Sequence, residues 1–167
     1  MSGENFTSTC DLYDQFLAAA RVPTTVFTHF GGRKRFSGRA TTVKCFEDNS
    51  RVKELVQTPG RGRVMVVDGG GSYRCALVGD VIARTAHENG WEGIVVFGCV
   101  RDRIELDRLG IGVLALASTP RKSIRKSAGE TDLPVNLGDV LCHPDDRVFV
   151  DEDGVLVLDA DARLTLQ

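Results

Sequence analysis

Arg63-Val-Met-Val-Val-Asp68, the loop Gly69-Gly-Gly71 and, after a segment of helical character from about Gly79 to Asn89, the run Gly93-Ile-Val-Val-Phe97 decide the architecture. Both apolar runs have strand length and no polar alternation, the pattern of strands buried on both faces of a parallel sheet. With a further short helix near Arg101, the order is strand, helix, strand, helix, which makes an α/β fold the expectation. Right-handed crossovers leave the carboxyl ends of such strands along one edge, where sites form. Asp68, the helix start near Asp80 and the pair Arg101-Asp102 are therefore expected to converge on one crevice.

Outward from this unit the chain reads as a mixed structure. Ser8 or Thr9 is placed to cap a first helix carrying Leu12, Phe16, Leu17 and Ala20 at helical spacing, with Pro23 beyond its end. Thr24 to Phe30 and Arg39 to Phe46 have strand composition, and Asn49 is placed to cap a short helix through Val52, Leu55 and Val56. Gly98 reads as a turn. From Ile111 onward short apolar runs (Gly112 to Ala117, Pro134 to Asn136, Val148 to Val150, Val155 to Leu158) predict strand and loop, the last two joined by Asp151-Glu-Asp-Gly154. No repeat, linker or low-complexity stretch divides the 167 residues, so one domain spanning 1–167 is expected.

Composition narrows the function classes. With 21 basic and 23 acidic residues interspersed and a formal charge of -2, nothing suggests a nucleic-acid or membrane surface. The apolar runs are far shorter than the roughly 20 residues of a membrane-spanning helix. Cys10, Cys45, Cys75, Cys99 and Cys142 form no CxxC pair and follow no signal-peptide pattern; they read as reduced, mostly buried thiols of a cytoplasmic protein.

The crevice has the parts of an anion and metal site. If Gly79, Asp80, Val81 and Ile82 form a first helical turn, their free N–H groups cradle a carboxylate, and Gly79 permits close approach. Arg101 offers a planar fork of donors, and Asp102 a hard oxygen ligand of the kind magnesium or manganese prefers. On spacing alone, an Arg-Asp pair after a strand is more often a surface ion pair or the start of a helix than a catalytic site.

Asp80, twenty residues, then Arg101-Asp102 resembles the D-x20-R-D signature of the 4-hydroxy-4-methyl-2-oxoglutarate aldolases. Around it, Phe30-Gly-Gly-Arg33, Thr42-Val-Lys-Cys-Phe-Glu-Asp-Asn49, Gly62 to Ser72, Ala76-Leu-Val-Gly-Asp80, Asn89-Gly-Trp-Glu-Gly93, Asp107 to Leu116 and Pro120-Arg-Lys-Ser123 are similar to the RraA-like family over nearly the whole chain. The resemblance implies a swivelling-domain-like α/β/β sandwich with a mixed sheet. It implies retro-aldol release of pyruvate from 2-oxo acids and decarboxylation of oxaloacetate, with Mg2+ or Mn2+. By the same resemblance Asp102 holds the metal, Arg101 and the backbone of Gly79 to Ile82 hold the pyruvyl group, and Asp80 orients a water. Glu105 completes an R-D-x2-E pattern, as a metal neighbour through water or as an ordinary solvated glutamate. Other members regulate ribonuclease E, so a non-catalytic regulator is the alternative reading. A homotrimer, paired into a hexamer or not, is also implied.

Other features carry less. Asp68-Gly-Gly-Gly-Ser-Tyr-Arg74 invites a dinucleotide or S-adenosylmethionine reading, but Arg74 stands where the third glycine of GxGxxG belongs; a turn shaping the crevice, hydrogen-bonded to Asp68, is expected instead. His29, His87 and His143 lack ligand spacing. Cys99 has no motif histidine to activate it and reads as a packed thiol, and Trp91 as a core or subunit anchor. None of Lys34, Lys44, Lys53, Lys122 or Lys126 lies in the motif, which favours metal chemistry over a Schiff base.

Overall fold

A computed structural model describes residues 7–164. Helix α1 (Thr9–Phe16) begins at Ser8, whose hydroxyl accepts the N–H of Asp11 at 3.1 Å. The other candidate cap, Thr9, instead donates its N–H and hydroxyl to buried Asp151 at 2.8 and 2.7 Å, tying the helix to the distant hairpin. The helix stops at Phe16, short of the expected Ala20, and a single 3-10 turn, Leu17–Ala19, follows.

Strand β1 is only Thr28–His29 rather than the whole of Thr24 to Phe30. Thr24 gives its N–H and hydroxyl to the Asp139 carboxylate, both at 2.9 Å, which draws the segment before β1 away from the sheet. Then come β2 (Phe36–Lys44), α2 (Ser50–Val56), β3 (Arg63–Asp68), β4 (Ala76–Val78), α3 (Asp80–Glu88), β5 (Gly93–Val100), α4 (Arg103–Asp107) and β6 (Gly112–Ser118). Strands β7 (Glu130–Thr131), β8 (Val135–Leu137), β9 (Val140–Cys142), β10 (Arg147–Asp151) and β11 (Gly154–Leu158) complete the described chain. The strand-rich C-terminal third and its closing hairpin are as the sequence predicts.

The main sheet runs β1-β6-β5-β3-β2-β10-β11, with β4 added beside the end of β5 and β7 beside β2. Strands β2, β3, β5 and β6 are mutually parallel, while β1 and the β10–β11 hairpin are antiparallel. Gly98 does not turn the chain: β5 continues through it to Val100, the register against β6 slipping between Val96 and Cys99. That irregularity lets β5 pair with β4 as well.

Burial on both faces explains the unbroken apolar runs. Met65 and Val67 point into a core with Val52, Val56, Ile82, Ala86 and Trp91 from the helical side. Val64 and Val66 point the other way, into a core with Val135, Leu137, Val148, Val150 and Val157. Helices, mixed sheet and a second β layer thus stack in that order. Phe36 is fully buried across β5 and β6; a side chain at Gly93 or Gly112 would collide with its ring, so glycine is required at both crossings. A smaller cluster seats α1 on Phe149, Leu156 and Leu158.

Candidate active site

The parallel topology delivers Gly79 and Arg101 to neighbouring strand ends, and the Arg101 N–H donates to Val78 O at 3.0 Å. One residue later the chain enters the left-handed region at Asp102 (φ 64°, ψ 46°), a conformation aspartate adopts more readily than most residues. This residue caps α4, whose Leu106 N–H returns to Asp102 O at 2.9 Å. The Asp102 carboxylate meets the start of α3: Oδ2 accepts the Asp80 N–H at 3.1 Å and lies 3.9 Å from Arg101 Nε. A Cβ on Gly79 would stand 2.7 Å from that same oxygen, so the contact depends on glycine.

The expected cradle is thereby modified. One of its N–H groups, that of Asp80, already belongs to Asp102, leaving the N–H groups of Val81 and Ile82 without a partner among the described residues. The Asp80 carboxylate lies 3.8 Å from Arg84 Nη2 one turn on. Among the described residues Arg101 keeps most of its donors free, its Nη1 reaching Pro120 O at 3.4 Å.

Gly79, Asp80, Val81, Ile82, Arg101 and Asp102 all line one cleft of about 660 Å³. Glu105 does not line it; its carboxylate is 3.7 Å from Arg108. Among the described residues no group of three or more His, Cys, Asp or Glu gathers as a ready-made metal cage. The Gly69–Gly71 loop also stays outside the cleft. It is pinned by Gly69 and Gly71 N–H bonds to Phe97 O and by Gly70 N–H to Asp68 Oδ1 at 3.0 Å. Asp68 therefore holds the loop as expected, but the loop does not shape the crevice.

The opposite wall was not foreseen. Residues 119–129 form a strap with two single parallel bridges, Lys122 to Ala76 and Ile124 to Asp48. Its anchor is Asp48, 2% exposed. One oxygen of Asp48 accepts the N–H and hydroxyl of Ser50 at 2.9 and 2.6 Å; the other accepts the N–H groups of Lys126 and Ala128 at 2.7 and 3.4 Å. Burial works against the charge, but these bonds outweigh it and bring the Asp48 pKa down to about 2. The side chain that starts α2 is thus Asp48. Asn49, the expected cap, spans the cleft floor instead, donating to Leu77 O at 3.0 Å and accepting from Arg125 Nε at 3.2 Å.

The strap brings Lys122, Ser123, Arg125 and Lys126 to the cleft, and α2 adds Lys53. Three of the lysines set aside in the sequence therefore face the candidate site. Ser123 is buried, and its hydroxyl has no hydrogen-bond partner among the described residues. Pro120-Arg-Lys-Ser123 was visible as part of the family resemblance, but no residue spacing marks it as a wall. Cys99 and Trp91 are core groups: burial pushes the Cys99 thiol pKa up, and Trp91 Nε1 donates to Thr58 O at 2.9 Å. No described helix is long and apolar enough to cross a membrane.

Residues 9–157 match the family model described as RraA-like, Aldolase/RraA. A protein of Alkalilimnicola ehrlichii, provisionally named a 4-hydroxy-4-methyl-2-oxoglutarate aldolase, is 51% identical over 89% of this chain and 92% of its own length. One from Burkholderia mallei with the same provisional name is 52% identical over 92% of this chain and 94% of its own. Among solved structures, the RNA-processing inhibitor RraA from Thermus thermophilis superposes with a TM-score of 0.91 at 43% identity, covering 96% of this chain and 97% of that one. A Geobacillus kaustophilus structure described as an S-adenosylmethionine:2-dimethylmenaquinone methyltransferase gives 0.90 at 42% identity, covering 93% and 96%. With this fold, a curled mixed sheet flanked by helices, and this extent of identity, the chain belongs to the RraA-like family.

Proposed function

We propose that the chain is a divalent-metal-dependent carbon-carbon lyase that releases pyruvate from 4-hydroxy-4-methyl-2-oxoglutarate-type acids and decarboxylates oxaloacetate. The observation that carries this reading is the meeting of Asp102, Arg101 and the first turn of α3 in one cleft. The names of the relatives support the reaction class.

The donor set fits a magnesium or manganese ion. One oxygen of Asp102 is engaged by Asp80 N–H, and the other accepts no hydrogen bond among the described residues. A single protein carboxylate suits a cation that takes its remaining oxygens from water and substrate. When bound, such an ion supplies Lewis-acid stabilisation of the negative charge that develops on the pyruvyl fragment.

The chain's own groups do the rest. The Arg101 fork and the free N–H groups of Val81 and Ile82 bind the 2-oxo acid carboxylate and fix its plane. Asp80, beside that turn, holds a water that takes the proton from the C4 hydroxyl and returns one to C3 of the departing pyruvyl unit. In decarboxylation carbon dioxide leaves from the same position and only the return of the proton is needed.

Pyruvate release from oxaloacetate with magnesium, compared between wild type and Asp102→Ala, tests the reading. A fall of about 100-fold or more is expected, as for loss of a group acting on transition-state charge. Equal metal-dependent rates would refute it.

A second reading, regulation of ribonuclease E by direct binding, rests on the likeness to the Thermus inhibitor. It predicts capture of that enzyme by wild type and Asp102→Ala alike. The likeness to the RraA-like family supports assembly into a trimer or paired trimers, which light scattering measures.

A further inference from the structure

Charge is distributed unevenly over this protein. Arg33, Arg35, Arg51, Arg63 and Arg74 each lie within 2.9 Å of a carboxylate. Lys53, Lys122, Arg125 and Lys126, which line the same cleft, form no ion pair among the described residues. Arg125 is nevertheless held, its Nε on Asn49 Oδ1 at 3.2 Å, so its other guanidinium donors are presented rather than dispersed. Between Lys122 and Arg125 stands Ser123, with a buried hydroxyl that has no partner among the described residues. The backbone bridge to Ala76 holds the Lys122–Ser123 end of this wall, with Ser123 N–H on Ala76 O at 3.2 Å, and the clasp from Asp48 to the backbone of Lys126 and Ala128 holds the other end.

Cations gathered without counter-charge repel one another, and an anion lodged among them relieves that repulsion. The Arg101 end of the cleft already has a use for a 2-oxo acid carboxylate. We infer that Lys122 and Arg125 on the strap, helped by Ser123, form a second anion subsite that reads the distal carboxylate of the substrate. The cleft then selects dicarboxylic 2-oxo acids over monocarboxylic ones of the same length. This rests on the lyase reading of the cleft and adds to it the residues that set specificity. An oxaloacetate molecule loses its distal carboxylate, so the subsite serves binding there and retro-aldol turnover most fully, because in the aldol substrate that carboxylate is retained in the departing fragment.

Calorimetric titration with magnesium, using 2-oxoglutarate and 2-oxopentanoate, isolates the effect, since the two differ only in the distal group. Wild type is expected to bind 2-oxoglutarate about 10- to 100-fold more tightly, the range for a hydrogen-bonded charge pair. Lys122→Gln and Arg125→Gln each shrink that ratio by about tenfold, and Arg35→Gln, which removes an equal charge elsewhere, leaves it intact. Lys122 is exposed, so its variant tests the subsite even if Arg125→Gln loosens the fold. Equal binding of the two acids by wild type, binding of neither, or an equal loss of both in the Lys122 variant would overturn the subsite. Pyruvate release from oxaloacetate, measured separately, tells whether the lyase reading survives that result.

Discussion

The two walls of the cleft are built by different physics. The wall carrying Gly79, Asp80, Arg101 and Asp102 is a product of topology: parallel strands end together, and helices start where they end. The strap opposite has no regular structure beyond two single bridges. Beyond those bridges it is held by side chains around the start of α2: Asp48 satisfies the N–H groups of Lys126 and Ala128, and Arg51 donates to Ser127 O at 2.6 Å and Gly129 O at 3.1 Å. The first wall is precise because the sheet is rigid. The second is only as firm as a few polar contacts, so substitutions on the two should separate activity from stability.

The sharpest separation is expected at Gly79. Its backbone is extended, so alanine is tolerated there conformationally, but the new Cβ would press on Asp102 Oδ2 from 2.7 Å. The carboxylate must swing away from the Asp80 N–H. Gly79→Ala should lower kcat for pyruvate release about 100-fold, the scale of an ångström-level misplacement, while changing stability by about 1 kcal/mol or less. A rate within threefold of wild type would show that the Asp102 contact does not set the site.

Asp48→Asn reverses the pattern. An amide has one acceptor oxygen, so it can serve Ser50 or the strap, but its NH2 then faces donors. Leaving buried N–H groups unmet costs about 1–3 kcal/mol, visible as a lower denaturant midpoint, and KM should rise more than kcat falls. A variant as stable as wild type would mean that the strap is held from elsewhere.

Acid tests the same clasp without mutation. The pKa of Asp48 is about 2 when folded against an ordinary 3.8, so its contribution is present above about pH 4 and is lost as pH falls towards 2. Burial opposes ionisation of Asp151 too, but bonds from Thr9 and Asp153 outweigh it and move its pKa in the same direction. Thermal melting across pH 5 to 2 should therefore steepen in that window, and Asp48→Asn should flatten part of the slope.

The contrast also explains what could be read from the chain alone. Arg63 to Asp68 and Gly93 to Phe97 announce buried parallel strands because burial on both faces leaves only apolar residues, and the position of Arg101-Asp102 follows from that geometry. The strap could not be read. Lys122, Arg125 and Lys126 look like any solvated basic stretch, since what brings them to the cleft is a set of distant partners: Ala76 bridging Lys122, Asn49 holding Arg125, and Asp48 on the backbone of Lys126 and Ala128, the last 80 positions away. The same holds for Thr24, whose bond to Asp139 shortens an expected strand. Local propensity carries no trace of a side chain that meets a distant backbone.

Ser123 offers the smallest and most discriminating effect. A buried hydroxyl with no partner is a net cost to the empty protein, so removing it relieves desolvation and loses no bond in exchange. Ser123→Ala should therefore leave the chain as stable as wild type or up to about 1 kcal/mol more stable by chemical denaturation. If the hydroxyl is kept for a ligand oxygen, the same variant binds 2-oxoglutarate more weakly. A variant that is destabilised by more than it loses in binding would place Ser123 with the supports of the strap, and the second wall would then owe its shape to one more polar contact rather than to a ligand.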